Sequence, residues 1–434
     1  MSELNSALTC AEWKQLEHDV FDDAPEAIQR IRAYARAQIM SPVATLILCS
    51  QWALTSLPGN VTFNAGYNDG SPNLFVALVG SPGMGKDSHI AATRRGMRVF
   101  KAHQPVEPRQ LSFGSGEGLV TALNPGKDED MAAPVLFGTG EVSTLSTLMG
   151  RTGSTLRSQI LDMYSGNPLG YTNKAETVTV PANTYTAGLW VGVQPDKAGM
   201  LLEGEDDGLK HRFVWTELID PNAPNTAVED VRECHAVLVP QCLIDGTGGF
   251  TFDDFIVEQT RAENLAKRRT GHTGENSGHR NQTRAKLACG LALLSSRGHV
   301  TLDDWQRAGH LMGYSDKIQA YCLQHLESRR VEDSAKRMAE REEAEEENRR
   351  NRIRIYKGRI VQALLQGSDE KSLRWGQRRQ SFAYKYRTDA DAALDELISR
   401  GEVVKVLSDD GRTDVLERGA RFDEAVKNLR GTRY

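Results

Sequence analysis

The chain has few of the residues that crosslink a fold through disulfides or metal ions. Only six cysteines occur among 434 residues, and no two form a CxxC pair or another metal-binding spacing. Scattered cysteines indicate reduced thiols in a cytoplasmic compartment, which argues against a disulfide scaffold or a zinc module. The cysteines are Cys10, Cys49, Cys234, Cys242, Cys289 and Cys322.

Long apolar runs and a strong excess of one charge are also absent. The most apolar stretch, residues 43–57, is short and contains polar residues, so we expect no membrane span. We also expect no signal peptide at the start of the chain. The formal net charge is −5, so any contact with nucleic acid must be local. A chain of 434 residues is long enough for several domains and a sizeable buried core.

The most informative feature is an apolar strand, Leu74–Val79, that runs directly into a glycine-rich turn ending in Gly-Lys. The pattern G-x-x-x-x-G-K is matched in full and is typical of a nucleotide phosphate cradle. Its glycines permit positive φ angles and close backbone approach, so that N–H groups point at phosphate oxygens. The predicted nucleotide-binding residues are Gly80, Ser81, Pro82, Gly83, Met84, Gly85, Lys86, Asp87 and Ser88.

Two departures from an ATPase pattern concern magnesium. The residue after Lys86, normally Ser or Thr, is Asp87. On the next strand, Val135–Phe137, Glu141 stands where a water-activating glutamate is needed, but Gly140 replaces the magnesium-binding aspartate before it. One hypothesis is that Asp87 restores the lost carboxylate, with Asp87 or Ser88 holding Mg²⁺. The alternative is a weak or inactive ATPase.

Two further residues are candidates for catalysis. Gln194 follows a buried strand that ends at Val193, and its amide can contact a γ-phosphate or the attacking water. Arg212 opens the strand Phe213–Leu218 and can complete a neighbouring subunit's ATP site. An ordinary surface arginine is the competing interpretation. The predicted catalytic residues are Lys86, Glu141, Gln194 and Arg212.

Alternation of short apolar strands with helical segments predicts an α/β fold with a parallel sheet. Residues before this α/β segment show helical periodicity, and a helical lid follows the segment. A charged stretch then leads to three helices and a hairpin, an order typical of a winged helix. The predicted parts are residues 1–58 (helical N-terminal collar), 59–225 (P-loop α/β core), 226–327 (connecting segment and helical lid), 328–354 (charged linker helix) and 355–434 (winged-helix-like module).

The order of these motifs resembles the cores of AAA+ helicases, over about residues 58–318. It is most like the helicase-like ATPases of phages and mobile elements, and is similar in layout to MCM-type and superfamily III replicative helicases. The resemblance implies that Gln194 is sensor 1 and that Arg212 is an arginine finger acting in trans. It also implies that Arg280 or Arg284, in G-H-R-N-Q-T-R, is the sensor 2 arginine that contacts ATP.

Two regions are candidates for contact with DNA. The resemblance implies a pore hairpin before the sensor 1 strand, which residues 170–183 can form with Lys174 at its tip; a surface hairpin is the alternative. In the C-terminal module, cations alternate with aromatic residues, although four acids on its third helix (Asp389, Asp391, Asp395 and Glu396) would repel DNA and favour a protein partner. The predicted DNA-binding residues are Lys174, Lys371, Arg374, Arg378, Arg379 and Lys385.

Together these features predict an ATP- and Mg²⁺-dependent motor that translocates on single-stranded or forked DNA. We expect a hexameric ring in the cytoplasm, that of a bacterial host if the chain is phage-encoded, with a separate primase or initiator as partner. A nucleotide-gated DNA-binding initiator or scaffold, and an ATPase that remodels proteins, remain alternatives.

Overall fold

A computed structural model describes residues 6–66, 68–126, 129–174, 176–203, 208–225, 231–245, 248–271, 278–366, 373–409 and 411–431. The chain divides into two compact units, residues 1–329 and 330–434. In the part of the chain that is described, no helix has both the length and the apolar character needed to cross a membrane.

The first unit combines helices with several small sheets and one larger sheet. Its helices are α1 (Cys10–Phe21), α2 (Glu26–Ala37), α3 (Pro42–Thr55), α4 (Lys86–Gly96), α5 (Gly116–Ala122), α6 (Val142–Met149), α7 (Leu156–Ser165), α8 (Gly199–Leu202), α9 (Gln241–Ile244), α10 (Asp254–Thr270), α11 (Gly278–Leu294) and the start of α12 (Leu302–Gln366). Its strands are β1 (Phe75–Val79), β2 (Met97–Lys101), β3 (Gln104–Pro105), β4 (Arg109–Leu111), β5 (Val135–Thr139), β6 (Leu169–Thr172), β7 (Thr177–Val180), β8 (Ala187–Val193), β9 (Phe213–Glu217), β10 (His235–Leu238), β11 (Thr251–Phe252) and β12 (His299–Val300).

The central sheet has five parallel strands in the order β4-β5-β8-β1-β9. The predicted α/β fold with a parallel sheet is therefore confirmed, and all four strands expected from apolar runs are present. Strands β1 and β9 are buried at every position, which explains why they read as continuous apolar runs rather than as alternating patterns. The short edge strand β4 was not predicted, because a strand of only three paired residues leaves little pattern in the sequence.

Helix α3 packs directly against the sheet. All 14 of its residues are buried, and the side-chain amide of Gln51 donates hydrogen bonds of 2.8 Å to the carbonyl oxygens of Leu74 and Leu189. This amide satisfies two carbonyls of strands β1 and β8 in the interior. The last helix of the expected amphipathic collar is therefore part of the core, buried on every face.

The second unit contains the end of α12 and a small sheet with three helices. Its elements after α12 are β13 (Leu373–Arg374), α13 (Trp375–Gln380), α14 (Arg387–Ser399), β14 (Val403–Leu407), β15 (Asp414–Arg418) and α15 (Phe422–Gly431). The strands form an antiparallel sheet in the order β13-β15-β14. The predicted order of three helices and a hairpin is present, although Asp410 in the hairpin turn lies outside the described residues.

Helix α12 is 65 residues long and replaces three helices that we expected to be separate. It contains the second lid helix, the charged segment and the first helix of the C-terminal unit. Residues 327–351 along it are exposed, as the charged sequence predicted, because a segment without an apolar face has nothing to bury.

Candidate functional site

The glycine-rich turn connects the carboxyl end of β1 to the first residue of α4. Gly83 and Gly85 have φ angles of +85° and +75°, which residues with a side chain rarely adopt. Gly80 has no positive φ, so our expectation for it was wrong in this respect. Its constraint is space, because a Cβ there would lie 3.3 Å from Cβ of Met84 and 3.4 Å from Cδ1 of Leu218.

Lys86 lies inside this turn. Its Nζ donates a hydrogen bond of 2.6 Å to the carbonyl oxygen of Gly80, so the amine is held where the backbone of the turn curves around it. Burial lowers the pKa of Lys86, and the carboxylates of Glu141 and Asp87 act in the opposite direction. Both acids identified in the sequence therefore lie near this lysine.

The strand order brings the polar strand ends together. Strand β8 lies between β5 and β1, with Thr139 paired to Val191 and Val79 paired to Val193. Glu141 and Gln194, which follow β5 and β8, therefore lie at the same edge of the sheet as the turn. Gln194 is half-buried and Glu141 is exposed, with one carboxylate oxygen accepting a 3.1 Å hydrogen bond from the hydroxyl of Ser143.

Asp87 and Ser88 face different cavities on either side of α4. Asp87 lines a cavity of about 310 Å³ together with Gly138, Thr139 and Gly140. Ser88 lines a cavity of about 420 Å³ together with Gly83, Met84 and Gly85. Of the two predicted magnesium ligands, only Asp87 lines a cavity with the acid strand.

The second cavity includes a turn between α2 and α3 that we did not predict as part of the site. Gln38, Ile39 and Met40 form one wall of it. Ile39 is 95% exposed and has a φ of +55°, a left-handed conformation that is rare for a β-branched side chain. Unusual backbone conformations of this kind are found at ligand sites, but neither the exposure nor the φ of Ile39 can be read from the sequence.

A buried histidine links this turn to the glycine-rich turn. His89 Nδ1 donates a 2.9 Å hydrogen bond to the carbonyl oxygen of Gly85, and Nε2 accepts one of 3.2 Å from the N–H of Ser41. This pairing requires the neutral ring with its proton on Nδ1. Burial lowers the pKa of His89, with the bond to Gly85 acting in the opposite direction, and so favours that neutral form.

Arg212 lies at the opposite edge of the sheet from the glycine-rich turn. It precedes Phe213, which pairs with Phe75 at the start of β1, roughly 15 Å along the strand from the turn. Its side chain is only 7% exposed, and its guanidinium carbon lies 5.5 Å from the centre of the Tyr164 ring. In the single chain this guanidinium packs inside the fold, and the role of Arg212 at a neighbouring subunit's ATP site stays a prediction.

Arg280 and Arg284 also lie at that far edge. In the same turn of α11, Thr283 Oγ1 is 2.8 Å from the carbonyl oxygen of His211, which precedes β9. Arg280 donates a 2.8 Å hydrogen bond from Nε to Asp316. The guanidinium carbon of Arg284 lies 4.0 Å from the centre of the Trp305 ring. The contact of one of them with ATP stays a prediction; within the single chain both arginines belong to a helix that packs beside the amino ends of the strands, away from the glycine-rich turn.

The predicted hairpin is present. Strands β6 and β7 pair antiparallel from Leu169–Val180 to Thr172–Thr177, and Lys174 lies exposed in the turn between them. The phenol of Tyr171 donates a 2.7 Å hydrogen bond to Glu176 across that turn. Lys174 is therefore presented at the tip, as expected, while its contact with DNA stays a prediction.

The basic residues of the C-terminal unit differ in how available they are. Arg379 is paired with Asp391 through hydrogen bonds of 2.6–3.0 Å, and Arg378 donates a 2.9 Å bond to the carbonyl oxygen of Arg359. Arg374 and Lys385 are exposed. Lys371 lies outside the described residues.

The acids of α14 are largely neutralised within the same unit. Asp389 is buried and accepts hydrogen bonds of 3.2 and 2.8 Å from Arg349 and Arg352. Asp391 pairs with Arg379, and Glu396 pairs with Lys357. Among the four acids, only Asp395 is exposed; Asp391 and Glu396 are half-buried. The repulsion that we expected between α14 and DNA is therefore reduced.

No protein-family model matches the chain, and a comparison with curated proteins finds no significant match. The assignment of function therefore depends on the geometry of the chain itself.

Proposed function

We propose that the chain is a nucleoside triphosphatase of the AAA+ type, which binds ATP with Mg²⁺ at the glycine-rich turn. The observation that carries the proposal is the meeting of Lys86, Glu141 and Gln194 at one edge of a parallel sheet, the edge where such sheets bind ligands. Lys86 would bind the phosphates, Glu141 would orient the attacking water, and Gln194 would contact the γ-phosphate.

The cavities on either side of the turn support a nucleotide rather than a simple phosphate. The cavity lined by Gly140 and Asp87 lies beside the acid strand and suits the terminal phosphate and its metal ion. The cavity lined by Ile39 and Met84, at about 420 Å³, has room for a base and ribose. Its wall combines aliphatic side chains with polar ones, and a few polar groups are what fixes the orientation of a ligand in such pockets.

We further propose that the ATPase acts on DNA as a helicase-like motor of a phage or mobile element. The exposed tip of the β6–β7 hairpin, with Lys174, and the winged-helix-like order of the C-terminal unit support this. In that unit, Tyr384 is 84% exposed beside Lys385, and such a pair of an aromatic ring and a cation suits an unstacked base and its phosphate. The hexameric ring rests on the resemblance alone, and the burial of Arg212 within the single chain adds no support to it.

A nucleotide-gated DNA-binding protein without turnover is the second candidate. The absence of a carboxylate at Gly140 favours it, because magnesium would lack its usual acid. The third possibility, an ATPase that remodels proteins, was suggested by the acids of α14. It loses that support because three of these acids are paired inside the unit.

ATP turnover by the purified chain, with and without single-stranded or forked DNA, tests the proposal. We expect DNA to stimulate turnover, and Lys86→Ala to lower it by about 10²-fold or more, because the phosphates lose their charged donor. Lys14→Ala, which removes an exposed lysine of α1, is the matched control and should not change turnover.

The outcomes separate the candidates. Tight ATP binding with no turnover in the wild-type chain would select the nucleotide-gated DNA-binding protein. Stimulation by a protein but never by DNA would select the remodelling ATPase. An absence of nucleotide binding would refute the proposed site altogether.

A further inference from the structure

Asp87 and Gly140 lie next to each other on the wall of the cavity of about 310 Å³ at the end of the acid strand. A Cβ placed on Gly140 would lie 3.4 Å from Oδ1 and 3.8 Å from Oδ2 of Asp87. The exposed carboxylate of Asp87 thus lies in contact with the space into which a side chain at position 140 would project. Position 140 itself carries no side chain, so the nearest carboxylate to that space comes from the helix.

The backbone around Gly140 is closely packed. A Cβ on Gly192 of β8 would lie only 2.1 Å from the carbonyl oxygen of Gly140 and 2.8 Å from Cδ of Lys86. Gly192 therefore allows the acid strand and the lysine to approach this closely. Backbone packing at Gly192 therefore fixes the position of Gly140. The side-chain rotamer of Asp87 then sets the distance between its carboxylate and Gly140.

Other oxygen ligands near Gly140 are less suited to replace the carboxylate. Ser88 lines the cavity on the other side of α4, and the hydroxyl of Thr139 lies 3.2 Å from the carbonyl oxygen of Glu141. Mg²⁺ prefers oxygen ligands, and in phosphate sites it is held by one or two carboxylates together with the phosphates. The ligands around this cavity fit that preference with Asp87 as the carboxylate.

We propose that Asp87, at the start of α4, supplies the magnesium-binding carboxylate that the acid strand lacks at Gly140. This assignment rests on the proposed nucleotide-binding function and identifies the metal ligand of that same site. A bound magnesium ion would neutralise phosphate charge. Asp87 would hold it from the helix side rather than from the strand side.

Binding of ADP as a function of Mn²⁺ concentration tests the assignment without requiring turnover. The free Mn²⁺ is followed by its electron paramagnetic resonance signal, and ADP affinity is measured in parallel by calorimetry. We expect Asp87→Asn to weaken Mn²⁺ binding in the presence of ADP by about tenfold or more, and to leave ADP affinity in the presence of a chelator unchanged or higher. Asparagine keeps the shape of the side chain, so folding is preserved.

A double variant tests whether Mn²⁺ affinity depends on where the carboxylate lies or only on the presence of its charge. Asp87→Thr combined with Gly140→Asp moves the carboxylate to the strand and places a hydroxyl on the helix, and the loss of the Asp87 oxygens makes room for the new side chain. We expect it to recover at least about tenfold in Mn²⁺ affinity relative to Asp87→Thr alone. Glu107→Gln is the control, because Glu107 shares the larger cavity with Asp87 but not the cavity at Gly140.

The result that overturns the assignment is an Asp87→Asn variant whose Mn²⁺ affinity stays within about twofold of the wild type. If the wild-type chain binds ADP neither with nor without Mn²⁺, the proposed function fails. The two failures are therefore distinguishable, because the first occurs in a chain that still binds ADP.

Discussion

The two edges of the central sheet carry similar residues but use them differently. At the carboxyl edge, Lys86 lies near the carboxylates of Glu141 and Asp87, Asp87 lines open cavities, and the backbone turns through two glycines with positive φ. At the amino edge, Arg212 and Lys286 are buried against Tyr164. The cation at the carboxyl edge can bind a ligand, whereas the cations at the amino edge stabilise the fold. The role of a basic residue therefore depends on the edge of the sheet at which it lies, and not on its residue type.

The amino edge is supported by a lysine that is completely buried. Lys286 Nζ donates hydrogen bonds to the carbonyl oxygens of Asn73, at 2.9 Å, and of Tyr164, and lies 3.2 Å from the centre of the Tyr164 ring. Burial lowers the pKa of Lys286 well below its usual value, and the charge of Arg212 adds to the effect. The lysine therefore joins the segment just before β1 to α7 in the interior of the fold.

The largest expected effect comes from removing this lysine. Lys286→Ala leaves two buried carbonyl oxygens without a donor and opens a cavity, so we expect the free energy of unfolding to fall by about 3–5 kcal/mol. Urea denaturation measures this loss, and Lys286→Met, which keeps most of the volume, should lose less. A large loss of nucleotide affinity in a variant of normal stability would contradict the division between the two edges.

An intermediate effect is expected from the histidine behind the glycine-rich turn. Because burial lowers the pKa of His89 below 6.5, the unfolded chain binds a proton before the folded chain does, so the free energy of unfolding should decrease as the pH falls below about 6.5. Nucleotide affinity should fall at lower pH still, where the ring of the folded chain becomes protonated, since a protonated ring cannot accept from Ser41.

Affinity for ADP measured between pH 7.5 and 5 checks this prediction. In His89→Gln, the amide can still donate to Gly85 and accept from Ser41 but does not titrate, so its affinity should vary less with pH than that of the wild type. An identical pH dependence in both proteins would show that His89 does not couple α3 to the turn.

The smallest effect is expected from the arginines at the far edge. Arg280→Ala and Arg284→Ala should change ADP affinity by less than about twofold, because the sheet separates both side chains from the turn. Equilibrium binding of a fluorescent ADP derivative measures this. A tenfold loss in either variant would place these arginines at a nucleotide, and only the site of a neighbouring subunit could then explain it.

Much of the carboxyl edge could be predicted because its chemistry is local. The spacing from Gly80 to Lys86 and the apolar strand before it indicate the glycine-rich turn without any knowledge of the remaining fold. Glu141 and Gln194 were predicted in the same way, because each follows an apolar strand and the carboxyl ends of parallel strands lie at the same edge of a sheet. Ile39 and His89 were missed, because a turn between two helices and a lone histidine carry no such pattern.

The arginines show where this logic ends. Arg212, Arg280 and Arg284 were selected by their order along the chain, which does not specify depth from the surface or distance across a sheet. The pairing of Asp389 was missed for the same reason, because its partners Arg349 and Arg352 lie on another helix. Partners that are distant in sequence are set by packing, and no local pattern reports them.

The sequence by itself determined the parallel α/β core, the turn at Gly80–Lys86 and the polar ends of the neighbouring strands, since these depend on periodicity and on glycine spacing. Only the tertiary structure decided the strand order, which sets Glu141 and Gln194 beside that turn, and the burial that removes Arg212 from the surface. It also decided that Asp87, rather than Ser88, faces Gly140. Which side of a helix meets which strand depends on long-range packing, and the spacing of residues along the chain does not contain it.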